Sequence, residues 1–280
     1  FDWGDGSSSA GTIASGTCSG THQYLDDDAD DAYTVTITVR DSGTAGSGGQ
    51  LSGSSNTTIT VRNVAPVIGT ITGTVAPVAL GGSASVSAPF TDAGTLDTHT
   101  CTVLWGDATA AESGTVAQGS GSGTCTDSHV YTAAGVYTVR VTVSDDDGGS
   151  DTENYLTYVV IYDPNGGFVT GGGWINSPVG AYAPDPTLTG KANFGFVSKY
   201  QKGASVPTGN TEFQFHAGNL NFKSTAYEWL VISGGYKAQY KGTGTINGAG
   251  TYQFSLTVID GNRAGGGGVD KFRMRIWGAS

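Results

Sequence analysis

Residues able to do chemistry are sparse in this chain, and most of them are carboxylates. Asp26, Asp27, Asp28, Asp30 and Asp31 put five acidic side chains into six positions, interrupted only by Ala29. Asp145, Asp146 and Asp147 form a second run at the end of an alternating segment, and Asp92 and Asp97 sit in a stretch that reads as a loop. Carboxylates so crowded repel one another unless water or a cation neutralises them. Ca²⁺ takes about six to eight oxygens, often from Asp in loops, so these ten residues are candidate calcium ligands and Ca²⁺ the candidate cofactor. Their spacing is not that of an EF-hand, and a solvated acidic loop is the competing reading.

Catalysis finds little support. Of His22, His99, His129 and His216, the pair His22 and His129 occupies equivalent places in a repeat, next to Tyr24 and Tyr131, which suits a structural role. No Gly-x-Ser-x-Gly, His-Glu-x-x-His or paired Cys and His occurs. Gly265 to Gly268 reads as a turn, because no Lys-Ser/Thr follows and no helix is expected. A glycosidase needs two carboxylates facing across a cleft. Among the acidic residues of 163–280, Glu212 and Glu228 come into question, but Glu212 falls on the strand face opposite Phe213 and Phe215. The expectation is a protein that is not an enzyme.

The elements that must hold these residues are strands. Gly numbers 46 of 280 residues and charged residues only 13%, while Val, Ile, Tyr, Phe and Trp recur in alternating runs. Alternation buries one face of a strand, and Gly, Ser and Thr supply tight turns. The strongest internal signal is a repeat. Trp3-Gly4-Asp5, Cys18, His22, Tyr24 and the run Tyr33 to Asp41 return as Trp105-Gly106-Asp107, Cys125, His129, Tyr131 and the run Tyr137 to Asp145.

These residues resemble the PKD family, whose hallmark is a Trp-Gly-Asp-Gly turn, then His-x-Tyr, then a Tyr-x-Val-x-Val-x-Val strand. Phe1 to Gly6 fits closely; the second copy has Ala108 in place of the last Gly. Phe90 to Thr100 also fits the pattern ahead of the Trp strand. The resemblance covers residues 1–162 and implies seven-stranded immunoglobulin-like sandwiches of two antiparallel sheets.

The repeat makes a covalent prediction. Cys101 lies four residues before Trp105, whereas four residues before Trp3 falls outside the chain. Cys125 is therefore expected to pair with Cys101 and Cys18, its equivalent, to stay unpaired; two reduced core cysteines are the competing reading. A disulfide implies an oxidising, extracellular compartment. By the same count the first module lacks its first strands. They are cleaved or disordered, supplied by another subunit, or simply outside this stretch of chain; strand donation between copies would build a filament.

The reading is therefore all-β with three parts: 1–64, a PKD-like module lacking its first strands; 65–162, a complete one; and 163–280, a third antiparallel sandwich or flattened barrel of about eight strands. Pro66 marks the first junction and Asp163 to Gly167 the second. The alternating run Tyr155 to Ile161 is expected as the last strand of the second module, and Asn247-Gly248 as a hairpin turn. Gly171 to Pro178, Gly190 to Phe196 and Tyr240 to Gly244 resemble the post-COAP domain of bacterial surface proteins, which implies location and no chemistry.

Charge divides with the domains. Residues 1–162 carry a net −15 and residues 163–280 a net +4, with Lys191 the first lysine. The acidic front half argues against nucleic acid as partner. Opposite charges on the two halves favour head-to-tail contact between copies, and solubility is the alternative explanation. No apolar run nears the roughly 20 residues that cross a bilayer, and no signal peptide is present, so a signal or anchor would lie outside this chain. The functional expectation is an extracellular structural or adhesion module of a larger surface or secreted protein, with copies of itself or other surface proteins as partners. The alternative is a carbohydrate-binding accessory region of a polysaccharide-active enzyme, with Trp174, Tyr182, Tyr200 and Tyr227 stacking on sugars. The competing reading of those aromatics is a hydrophobic core.

Overall fold

The structure, a computed structural model, describes residues 1–27, 31–41 and 51–278. The described residues form an all-β chain with no α-helix and one short 3₁₀ turn, His216–Gly218. Among the described residues no helix is long and apolar enough to cross a membrane. Asp28 and Asp30 lie outside the described residues.

The first module holds two ribbons, β1 (Thr12–Ala14) with β2 (Thr17–Ser19), and β3 (Ala32–Arg40) with β4 (Ser52–Thr60). The segment around Asp2 bridges to Thr36 of β3. Trp3, Tyr33 and Val35 are buried, whereas every residue of β4 is exposed.

The second module is a sandwich. Its strands are β5 (Val67–Ile68), β6 (Thr72–Gly73), β7 (Val78–Ala79), β8 (Ser83–Thr91), β9 (Thr100–Leu104), β10 (Glu112–Ser113), β11 (Thr115–Gly119), β12 (Ser122–Val130), β13 (Gly135–Tyr137), β14 (Arg140–Ser144), β15 (Ser150–Asn154) and β16 (Val159–Tyr162). One sheet runs β10-β9-β14-β15; the facing one runs β11-β12-β8-β5, with β6 also on β8. Alternation along β8, β9 and β14 sends Val86, Phe90, Val103, Val141 and Val143 into one core around Trp105. The Cys101–Cys125 disulfide joins β9 to β12 and so ties the two sheets together, and Cys18 is the free cysteine, as the repeat requires.

Two runs expected as single strands are broken. The run from Tyr137 stops at Thr138 and resumes at Arg140, because β13 pairs with β16 while β14 pairs with β9 in another sheet. Likewise Tyr155 to Tyr158 is a bend, and only Val159–Tyr162 is strand. Tyr155 turns into the core while Leu156 and Tyr158 turn out, as the chain crosses from β15 to a second sheet.

β16 lies in a three-stranded sheet, β13-β16-β7, and all four of its residues are buried. Val159 and Ile161 enter the core of the second module. Val160 and Tyr162, on the opposite face, enter the core of the third body. The period of two along a strand thus gives each neighbour one face of the same element.

The third body is one seven-stranded antiparallel meander: β17 (Phe168–Ser177), β18 (Gly190–Lys199), β19 (Thr208–Phe215), β20 (Leu220–Ser233), β21 (Lys237–Ile246), β22 (Ala249–Ile259) and β23 (Lys271–Gly278). The sheet curls until Phe194 of β18 stacks on Phe272 of β23, with centroids 3.7 Å apart. Asn247 and Gly248 form the expected turn between β21 and β22, both at positive φ (52° and 77°), as a two-residue hairpin favours.

Candidate functional site

The repeated motif builds the same cluster twice. Trp105 stacks on His129 at 5.3 Å, and Trp3 on His22 at 5.0 Å. Tyr131 Oη donates to the Trp105 carbonyl at 2.9 Å, and Tyr24 Oη to that of Trp3 at 2.9 Å. His129 Nε2 lies 2.9 Å from Asp107 Oδ2, and His22 Nε2 lies 2.6 Å from Asp5 Oδ2. Burial alone would raise the Asp107 carboxyl, but bonds from Thr109 and His129 outweigh it and hold the group below its ordinary range. The Ser7 hydroxyl holds Asp5 down to about 2, with His22 adding to it. Each His is clamped between a ring and a carboxylate inside its module. These are folding devices, and their donors are already committed.

The acidic residues converge elsewhere, at the junction of the first two modules. The Leu96 amide donates to the Leu25 carbonyl at 3.3 Å, and Asn63 Nδ2 to Asp145 Oδ2 at 3.0 Å. Beside these contacts, carboxylate oxygens of Asp26, Asp97 and Asp147 lie within 4.8 Å of one another. Asp26 comes from the first module and the other two from loops of the second. A second group, Asp92, Asp97 and His99, shares Asp97.

Hydrogen bonding separates these acids. Asp145 accepts from the amides of Asp147 and Gly149 and from Asn63. Asp146 accepts from the Thr98 amide at 2.8 Å. Asp92 accepts from the Gly94 amide and faces His99 Nε2 at 3.0 Å. Asp97 differs: it is 6% exposed and no donor reaches either carboxylate oxygen. Asp26 Oδ1 is also buried without a donor. Gly94 packs directly against the Asp97 carboxylate, where a Cβ would meet both of its oxygens.

Burial first, then a proton-sharing contact with the Asp26 carboxyl and the charges of Asp26, Asp92 and Asp145, push the Asp97 carboxyl up to about 7. Burial and the surrounding acids also raise Asp27 and Asp147. Of the ten expected ligands, the structure therefore brings three into one donor set, Asp26, Asp97 and Asp147. Asp27 and Asp31 add charge nearby, and Asp92, Asp145 and Asp146 serve as loop braces. An all-oxygen set at a negative site suits a hard cation such as Ca²⁺.

The aromatic candidates separate too. Tyr200 is buried, with its hydroxyl donating to the Leu230 carbonyl at 3.1 Å and accepting from the Leu230 amide at 3.0 Å. Tyr227 is buried, with its hydroxyl 2.8 Å from Thr211 Oγ1. Tyr182 packs edge-on against Phe215 and donates to the Gly218 carbonyl at 2.9 Å. These three brace the third body, and the two buried rings offer a sugar no face. Their alternation served the core. Trp174 differs, being 58% exposed under Lys191 Nζ, 5.2 Å from its ring centroid. It lines a groove of about 920 Å³ together with Phe194, Phe196, Tyr236, Arg263 and Phe272. Glu212 and Glu228 each face a lysine of the neighbouring strand, Lys223 at 3.4 Å and Lys241 at 2.9 Å.

Residues 63–160 match the family model of the PKD domain. That match accounts for the second module's sandwich, its repeated Trp–His–Tyr cluster and the resemblance seen in its sequence. The PKD domain is a non-catalytic immunoglobulin-like module of the extracellular type, often found in surface or secreted proteins. No curated protein matches the chain.

Proposed function

We propose that this chain is a non-catalytic extracellular spacer, in which two PKD-type modules and a third β body hold a binding or anchoring end of a larger protein at a fixed distance. The observation that carries this reading is β16. Val159 and Ile161 pack into the second module while Val160 and Tyr162 pack into the third body, so no free linker separates them. The Ser233 hydroxyl adds a bond to the Ala134 carbonyl at 3.1 Å across the same boundary. Bodies sharing a strand move together, which suits a load-bearing or distance-setting part. Limited proteolysis tests it. Cleavage resistant at 155–167 while exposed loops are cut supports a rigid joint; rapid cutting there contradicts it.

Self-assembly is the finer form of the same reading. β4 and β17 each pair on one side only among the described residues, and the halves of the chain carry opposite charge. Free edges accept strands from other chains. Light scattering separates a filament-former, whose mass grows with concentration, from a monomer.

One observation favours the second reading, carbohydrate binding. Trp174 is a large exposed ring at the rim of a groove. Binding to a glycan panel that Trp174→Ala abolishes would support it, and a blank panel would remove it.

A further inference from the structure

We infer that the junction between the first two modules is a divalent-cation site, with Ca²⁺ held by the carboxylates of Asp26, Asp97 and Asp147. A dense acidic surface alone would not support this, since solvated aspartates are common. The distinguishing feature is Asp97, which is buried yet receives no hydrogen bond on either carboxylate oxygen. A buried polar group without a partner is costly and uncommon in folded proteins. Here it points at two further carboxylates, one of them also holding a buried oxygen without a donor.

The neighbouring acids locate the ion. Asp92 and His99 already satisfy each other, and Asp145 and Asp146 accept backbone amides. Among the described acidic side chains, only Asp26 and Asp97 have buried carboxylate oxygens without donors. Three carboxylates can supply about three to six of the oxygens that Ca²⁺ takes, with carbonyls or water completing the shell. Mg²⁺ demands stricter octahedral geometry and gives up its water reluctantly, so this loop-borne set favours Ca²⁺.

The site spans two modules. Asp26 follows Leu25, whose carbonyl receives the Leu96 amide, and Asp97 follows Leu96. An ion here would therefore tighten the existing contact and fix the angle between modules. This consequence rests on the spacer reading; the site itself does not.

The test is calorimetric titration of the chelator-treated 280-residue chain with Ca²⁺, and separately with Mg²⁺, alongside hydrogen exchange at the Leu96 amide. The expected result is about one Ca²⁺ per chain, weakened about tenfold or more by Asp26→Asn and by Asp147→Asn. Asp185→Asn in the third body serves as the control and leaves affinity unchanged. Asp26 is partly exposed and lies outside the second module, so its substitution leaves the Asp97 turn intact. No calcium binding by the unaltered chain overturns the inference, and so does binding that Asp26→Asn fails to weaken. Binding through the three aspartates that leaves exchange at Leu96 unchanged upholds the site and counts against the spacer reading instead.

Discussion

Asp26 and Asp97 belong to different modules, yet their carboxylates meet in one small space where no hydrogen-bond donor reaches either oxygen of Asp97. Without a cation this arrangement works against folding at neutral pH, because burial and neighbouring acids disfavour the charged form. Asp97→Asn removes the charge and keeps the shape. In chelator the variant is expected to melt on the order of a few degrees higher than the parent chain. In calcium the order reverses, since only the parent gains from the ion. Scanning calorimetry in both buffers checks it.

The disulfide connects facing sheets, so its loss should be felt by the whole second module. Cys101 and Cys125 are 24 residues apart, a loop whose closure stabilises by roughly 3 kcal/mol in the chain-entropy model. The double substitution to Ala is expected to lower stability by about that amount in denaturant titrations. Alkylation without reductant should label Cys18 alone, as mass spectrometry will show.

The Asp107–His129 contact predicts a pH dependence. Asp107 is held below its ordinary range in the folded chain, so its contribution is present above the unfolded value and lost as pH falls through the folded one. That window lies below about pH 4. Asp107→Asn should therefore destabilise the module at pH 7 and flatten its loss of stability on acidification. Thermal melts between pH 7 and pH 2 measure both effects.

β16 should couple two bodies by alternate residues. Ile161→Ala is expected to cost about 2–5 kcal/mol, felt first in the second module. Tyr162→Ala should instead loosen the third body, where Tyr162 stacks on Tyr200 at 5.0 Å. Hydrogen exchange resolved by segment distinguishes the two patterns.

Much of the fold was legible in local pattern. The Trp-Gly-Asp and His-x-Tyr repeat carried the clusters around Trp3 and Trp105, and counting from Trp105 gave the Cys101–Cys125 pair. Asn247-Gly248 marked its hairpin because few other dipeptides tolerate that backbone. Strand breaks at Thr138 and at Tyr155 to Tyr158 were hidden, since alternation continues through a change of sheet. Burial of Tyr200 and Tyr227 was equally hidden, because a core tyrosine and a sugar-stacking one share the same period. The site was visible only as acidic composition. Which carboxylates converge depends on how one module leans on the next, and no pattern within either module records that. β16 carried a signal of its own: Val159-Val160-Ile161-Tyr162 is apolar on both faces, as a strand buried on both sides must be.

Small-angle X-ray scattering of the full chain, in calcium and then in chelator, tests the central claim most directly. One narrow distribution of interatomic distances is expected in calcium, fitted by a single arrangement of the three bodies. In chelator, broadening is expected only at the junction of the first two modules, with the second and third still moving as one. A broad distribution in both buffers, needing many arrangements of the second module relative to the third, would contradict it.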